Sequence, residues 1–309
     1  MDELWSGVPT FPQFKDLTLE NKPLCDQVFN HFPSQISEFT FTNLFIWRHT
    51  YQTRISRYQN FLCLLSEQGE NSFFFPPLGE GDVIECCQSI LNYLGERVAL
   101  PRIVRVPEAA ATQIGERGSG MKAQLDRSQC DYVYLVQDLI ELKGRKYHRK
   151  RNHIKQFQAN YSYQYISLGL EWIPQCLQLQ TEWCDLRNCE ANPGLRNESL
   201  ATKEAFTHFG ELEVRGGAIL INKKVEAFTF GDPLNPETVV IHVEKANPAY
   251  EGLYPAINQA FLEHEWPGYI YVNREQDLGE EGLRKAKESY FPHHLVNKYT
   301  ITLESRKGG

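Results

Sequence analysis

The sequence predicts an α/β protein of two domains. Three observations carry that expectation. The chain has 309 residues, more than one hydrophobic core usually supports. The stretch from Val239 to Tyr299 sets out a strand-helix-strand-helix-strand skeleton with polar residues gathered at the element ends. The two halves of the chain also repeat one order of elements: hairpin, strand or loop, helix, strand. Each closes beside a charged residue, Glu108 in the first half and Glu275 in the second.

In the first half the pattern predicts an amphipathic helix near Pro23 to Phe32 and an aromatic segment from Phe39 to Trp47. Paired strands follow at Tyr51 to Arg57 and Phe61 to Ser66, then a helix over Val83 to Leu94 and a strand from Arg102 to Val106. The second half begins near Tyr161, with helices around Trp172 to Leu186 and Ser199 to Phe209. GGAILINKKVEAFTFGDP then reads as two strands about an Asn222-Lys223-Lys224 turn, with Ala218, Leu220, Ala227 and Phe228 facing a core. Val239 to Val243 is apolar apart from His242, as in a strand buried on both faces. Leu253, Ala256, Ile257, Ala260 and Phe261 fall on one face of a helix. A strand at Tyr269 to Val272 runs into Asn273-Arg274-Glu275-Gln276-Asp277, the strand-to-helix junction where α/β sheets bind ligands.

Composition narrows the class. A hydrophobic content of 41% is ordinary for a globular chain, and the net charge of −7 excludes a general nucleic-acid coat while leaving room for a local basic patch. No run of eighteen apolar residues and no charged segment leading into an apolar one is present, so no transmembrane segment and no secretory signal are expected, and a cytoplasmic location is. Eight cysteines include no C-x-x-C pair, which predicts reduced, mostly buried thiols. A zinc site from Cys184, Cys189 and His208 has the wrong spacing, so no metal is expected.

EKANPAYEGLYPAINQ, YVNREQDLGEEGLRKAKESY and LVNKY resemble the C-terminal domain of phosphatidylglycerol lysyltransferases, in a short soluble form without the membrane half. The resemblance covers nearly the whole chain and is sharpest over Leu142 to Phe157 and Gly216 to Tyr299. It implies a tandem pair of GNAT-like acyltransferase folds, each a mixed, mostly antiparallel sheet flanked by helices, related to the Fem peptidyltransferases that use aminoacyl-tRNA. The expected division is an N-terminal domain over residues 1–140 and a C-terminal domain over 141–309 opening with a basic helix at about 143–159.

Ordinary GNAT enzymes hold the pyrophosphate of coenzyme A on a glycine-rich loop at a helix N-terminus. Here the corresponding Lys245 to Gly252 segment has a single glycine, Pro248 without an N–H, and Glu251 where a phosphate would sit. Coenzyme A is disfavoured and no cofactor is expected. The candidate replacement is the segment Lys143 to Lys155, seven Lys or Arg in thirteen residues. Lys146, Arg149, Lys150 and His153 form a stripe at helical spacing, and with Lys143, Arg145 and Arg151 they could hold tRNA phosphates or an anionic membrane surface; the alternative is a solvated linker helix.

Glu244, at the end of the central strand, could take a proton from an attacking amine or bind the donor's amino group. Lys298 and Tyr299 resemble the family's K-Y pair and could stabilise an oxyanion, against an equal case for buried hydrogen bonding in the core. Asn247 and Asn273, Arg274 and Glu275 are candidate substrate contacts. Arg274 suits a carboxylate or phosphate and Glu275 an ammonium, or the two belong to an internal ion pair at the turn. Asp277 and Glu280 match a capping box, and His293 and His294 are expected in a solvated loop. The function expected is transfer of an aminoacyl group from aminoacyl-tRNA to an amine or hydroxyl acceptor, unnamed, with no covalent enzyme intermediate. An acyl-CoA-dependent N-acyltransferase and a non-catalytic tRNA or anionic-surface binding module are the alternatives.

Overall fold

The computed structural model describes residues 5–117 and 120–304 and divides into two compact units. One takes the chain up to Asp131, Gln276–Gly279 and the residues from Leu295 onward; the other takes Tyr132–Glu275 and Glu280–His294. The last strand therefore belongs to the first unit, where the sequence placed it in the second. Its hydrogen-bonding partners are strands of the first sheet.

The first sheet contains β1 (Lys15–Asp16), β2 (Thr53–Tyr58), β3 (Phe61–Ser66), β4 (Phe73–Phe74), β5 (Leu78–Gly79), β6 (Arg102–Pro107) and β7 (Met121–Leu125). The second contains β8 (Asp131–Leu135), β9 (Tyr163–Ser167), β10 (Arg215–Ile221), β11 (Lys224–Asn235), β12 (Thr238–Ala246), β13 (Tyr271–Asn273) and β14 (His294–Val296). The strand β15 (Lys298–Leu303) then inserts between β6 and β7, antiparallel to both, giving the order β1-β2-β3-β4-β6-β15-β7 with β5 beside β3. The second sheet runs β14-β8-β13-β12-β11-β10-β9. Both are mixed sheets flanked by helices, as expected.

In the first unit the helix Val83–Gly95 starts where the Asp82 carboxylate accepts the N–H groups of Ile84 and Glu85. It buries Cys86, Cys87, Ile90, Leu91 and Leu94 against Phe61, Cys63, Leu65, Phe74, Ile103 and Ile301. The adjacent cysteines act as small apolar side chains, and burial pushes the Cys87 thiol up to about 12. Cys184 and Cys189, by contrast, form a disulfide rather than the reduced thiols expected. The helix Ile173–Arg187 ends at Asn188 in the left-handed region, and the 3₁₀ turn Cys189–Ala191 brings Cys189 back to a Cα–Cα distance of 5.0 Å. Among the described residues no cluster of three metal-ligating side chains occurs, and no helix is long and apolar enough to cross a membrane.

A charged cluster sits in the first unit's interior. The Lys298 ammonium, 0% exposed, donates to Asp131 Oδ1 at 2.6 Å, to Glu38 Oε2 and Oε1 at 2.7 and 2.9 Å, and to Ser37 Oγ at 3.4 Å. Arg105 Nε approaches Glu38 Oε1 at 3.3 Å, and its Nη2 donates to the Tyr51 hydroxyl at 2.7 Å. Arg105 has φ 60 and lies where the β6–β15 register slips between Tyr299 and Ile301, so a bulge aims its side chain inward. Two cations and two carboxylates neutralise one another in the interior.

In the second unit the β10–β11 turn has positive φ at Asn222 and Lys223, the hairpin geometry the sequence predicted. The helix Leu253–Glu265 buries Leu253, Ala256, Ile257 and Phe261, four of the five residues expected on that face. The basic helix runs His148–Asn160, later than expected, because Gly144 at φ 87 breaks the chain and Arg145–Tyr147 form a 3₁₀ turn before it. Tyr147, Ile154 and Phe157 anchor it to the same core as Leu253, Ala256 and Ile257.

The buried cluster sets a pH window. Burial pushes the Glu38 carboxyl up, but Lys298 and Arg105 outweigh it and hold the group below its ordinary range. Burial pushes Lys298 down, but Asp131 and Glu38 raise it above an ordinary lysine. The Glu38 contribution is present above the usual carboxylate pKa and lost as pH falls; the Lys298 contribution is present below the usual lysine pKa and lost as pH rises. Lys298→Met leaves both carboxylates buried beside Arg105 alone and is expected to cost about 3–5 kcal/mol in denaturant unfolding at neutral pH. A loss below about 1 kcal/mol would show that water enters and replaces the ammonium.

Candidate active site

β12 and β13 are parallel, and they pair only at Thr238↔Tyr271, Val239↔Val272 and Val240↔Asn273. β12 continues to Ala246, while the chain after Asn273 leaves toward β8, the Arg274 N–H donating to the Tyr132 carbonyl at 2.9 Å. Among the described residues β12 has no strand on that side from Ile241 onward. His242 and Glu244, two residues apart on one face of β12, stand beside the opening.

Two ion-paired groups are built there. Glu244 Oε1 accepts from Arg274 Nη2 at 3.1 Å and Oε2 from Asn258 Nδ2 at 2.8 Å, so the helix Leu253–Glu265 and the β13 end hold one carboxylate between them. The two side chains are 12% and 14% exposed. The Arg274 guanidinium lies 4.8 Å from the Tyr290 ring and 5.8 Å from the Tyr134 ring. Burial raises both phenols well above an ordinary tyrosine against the opposing pull of Arg274.

The second group is His242, 1% exposed, whose Nε2 faces Asp232 Oδ1 at 2.7 Å and whose Nδ1 faces Glu275 Oε1 at 3.1 Å. Burial lowers its pKa, but Asp232 and then Glu275 outweigh that and raise it to about 9. It is an imidazolium bridging two carboxylates at neutral pH. Glu275 has φ 57, a left-handed conformation held by its N–H donating to Asn273 Oδ1 at 2.8 Å and by Lys287 donating to the carbonyls of Arg274 and Glu275.

Arg274 and Glu275 thus each take an internal ionic partner, Glu244 and His242, rather than each other. Asn247 spans its own turn, with Nδ2 donating to Glu226 Oε2 at 2.7 Å and Oδ1 accepting from Ala249 at 3.0 Å. Lys298 lies in the enclosed cluster of the first unit, and the exposed Tyr299 hydroxyl meets Glu108 Oε1 at 3.1 Å in that unit. Asp277 is not a capping residue. The helix Glu281–Glu288 begins at Glu280 without a side-chain cap, and Asp277 instead accepts from Gly279 N at 2.8 Å and pairs with Arg127 at 3.2 Å. His294 is in β14 and partly buried, not in a loop.

The basic residues divide by orientation. Lys143, Arg145, Lys146 and Arg149 are exposed, with Lys143 beside Glu141 at 2.6 Å and Lys146 beside Asp138 at 3.3 Å. Arg151 turns back to donate to the carbonyls of Leu142 and Gly144, closing the preceding turn. Lys150 leaves the stripe altogether. Its Nζ stands 3.8 Å over the Tyr290 ring, and burial, then Arg274 and Arg149, lower its pKa to about 8. Sequence reasoning missed Asp232, Asn258, Tyr134 and Tyr290; the pair His242 and Glu244 on one strand face was the signal available for the two ion-paired groups.

The turn at Gly252 is closed from above. Gly252 has φ 86, and a Cβ there would meet the His153 carbonyl oxygen at 2.2 Å and Phe157 Cβ at 3.0 Å. Glu251 pairs with His153 Nδ1 at 3.2 Å. The basic helix therefore packs on the helix N-terminus where a pyrophosphate would need open N–H groups.

The model of the family "Phosphatidylglycerol lysyltransferase, C-terminal" matches residues 29–302. No curated protein matches the chain. Among solved structures, a conserved protein of unknown function from Bacteroides thetaiotaomicron is 35% identical with a TM-score of 0.87, covering 94% of this chain and 99% of that one. L-PGS from Bacillus licheniformis is 14% identical with a TM-score of 0.64, covering 95% and 94%. FemX is 8% identical with a TM-score of 0.57, covering 93% and 96%. These last two likenesses concern the fold, which is the tandem GNAT-like one. Matched across nearly all of its length, the chain belongs to the phosphatidylglycerol lysyltransferase C-terminal family.

Proposed function

We propose that this chain is an aminoacyl transferase that takes its aminoacyl group from aminoacyl-tRNA and passes it to a hydroxyl or amine acceptor. The observation that carries the reading is the pairing of an open β12–β13 edge, lined by Glu244 and Arg274, with a helix N-terminus covered by the His153 carbonyl. The first feature suits an acyl donor; the second speaks against the usual seat of coenzyme A, and in this reading the donor's phosphates bind elsewhere. Family membership points the same way.

In this reading Glu244 receives the ammonium of the aminoacyl group. Each of its oxygens already accepts one bond, and a carboxylate has about four acceptor sites, so two directions stay available. Arg274 fixes that carboxylate, and the Asp232–His242–Glu275 bridge fixes the turn that presents Arg274. The acceptor attacks the ester carbonyl directly, the tetrahedral centre collapses, and the terminal ribose hydroxyl of the tRNA leaves. Rate enhancement comes from holding donor and acceptor together in a partly dry site. Lys298 has no part in this chemistry, since its proton donors are spent on Glu38, Asp131 and Ser37. Lys143, Arg145 and Arg149 meet the tRNA backbone, or an anionic membrane when the acceptor is a lipid, and such a donor implies a cytoplasmic site of action.

Thermal unfolding tests the donor. Total aminoacyl-tRNA is expected to raise the melting temperature more than the same tRNA deacylated, and acetyl-CoA to leave it unchanged; a ligand at a hundred times its Kd stabilises by about 2.7 kcal/mol. Equal shifts from charged and uncharged tRNA would reduce the protein to a tRNA-binding module, and a shift with acetyl-CoA would return it to ordinary acyl transfer.

The basic patch is tested separately. Lys143→Glu, Arg145→Glu and Arg149→Glu together are expected to abolish tRNA stabilisation without lowering the melting temperature of the free protein, because all three side chains are exposed. Binding that survives the triple substitution at low salt places the tRNA on another surface.

A further inference from the structure

The lysine that turned inward has no place in the ion-pair scheme of the cleft. Lys150 is half-buried, and among the described residues its Nζ has no hydrogen bond or ion pair, only the Tyr290 ring at 3.8 Å. The Arg274 guanidinium lies 4.8 Å from the same ring, so two cations meet one aromatic side chain. The charged groups around it are Arg149 on its own helix, Arg274 after β13, and Glu244 on β12; Glu244 is committed to Arg274 and Asn258. A half-buried ammonium beside a second cation, with no acceptor, is a costly arrangement for a merely structural lysine.

Acyl transfer to a hydroxyl or an ammonium needs a proton acceptor near neutral pH, and the other groups of the cleft are unsuited. Arg274 stays protonated, the Tyr134 and Tyr290 phenols are raised by burial, His242 is protonated between two carboxylates, and Glu244 is held by Arg274 and Asn258 and in this reading binds the donor's ammonium. We propose that Lys150 is a catalytic residue that carries the proton in aminoacyl transfer, an inference that rests on the transferase reading above. Neutral Lys150 takes the proton from the acceptor O–H or N–H as its lone pair forms a bond to the ester carbonyl carbon. The resulting ammonium gives that proton to the ribose oxygen as the C–O bond breaks, and the lysine is neutral again. No net proton or electron is consumed when the acceptor enters as a hydroxyl. An amine that enters protonated releases one proton to solvent. The pKa of about 8 leaves a usable neutral fraction at physiological pH.

Two measurements decide it. In protein labelled with ¹³C at lysine Cε, the resonance missing from Lys150→Arg is expected to titrate near 8; titration above about 10, the ordinary lysine value, overturns the proposal whatever the substrate. Transfer is followed as loss of radiolabelled amino acids from total aminoacyl-tRNA, with phosphatidylglycerol vesicles or glycinamide as acceptor. The wild-type rate is expected to rise with pH and level off above the Lys150 titration. Lys150→Met and Lys150→Arg are both expected to lower kcat by about 10²–10⁴-fold and to abolish that limb, with KM for the donor little changed. Arginine that restores the rate, or methionine that raises KM alone, makes Lys150 a holder of a substrate phosphate and overturns the proton role. Wild-type protein inactive with every acceptor sinks the transferase reading and the lysine's role with it, whereas active wild type and active Lys150→Met sink the lysine alone.

Discussion

The candidate chemistry depends on where one pair of parallel strands stops pairing. After Val240↔Asn273 the β12 backbone runs on without β13, and an open edge inside a sheet must be closed by side chains or kept for a ligand. Glu244, Arg274 and Asn258 close part of it, each supplied by a different element. Were β13 three residues longer, the edge would be sealed and Arg274 would lie in a ladder. The left-handed Glu275 and the Asn273 amide that caps it are the local means by which the strand is ended.

Charge in this protein is handled in two ways. In the first unit Lys298, Arg105, Glu38 and Asp131 are matched and buried, a closed arrangement that fixes one packing. In the second unit the pairs are matched yet leave a remainder, since among the described residues Lys150 has no anion of its own and Tyr290 carries two cations. Balanced clusters hold a fold; an unbalanced one at a strand edge invites a substrate.

Much of the fold was legible because apolar periodicity survives on both faces of the sheet. β3 was read at its observed limits, and the Val83–Gly95 helix and the β10–β11 hairpin nearly so. The final strand was assigned to the wrong unit because a strand's sequence names its pattern and not its neighbours, and β15 finds β6 and β7 across a long separation. Glu244, Arg274 and Glu275 stood out as polar residues at strand ends, and the structure does gather them near β12. Their partners were hidden for a physical reason. Asn258 reads as one polar residue on a helix, Tyr290 as one aromatic among many, and Lys150 as part of a basic stripe; only the rotation of the His148–Asn160 helix on Tyr147 and Phe157 separates it from Arg149. Cys184 and Cys189 were misread because a helix end, not spacing, brings them together.

The path of β15 bears on how the chain is made. Asp131 and Glu38 wait for a lysine 167 and 260 residues further along, and the whole second unit emerges from the ribosome in between. The first sheet is thus synthesised first and completed last, with two carboxylates and an unfilled slot between β6 and β7 while its neighbour folds. A nascent chain of this kind presents two unpaired edges to any passing strand, so the order of synthesis, rather than the final stability, sets its period of greatest risk.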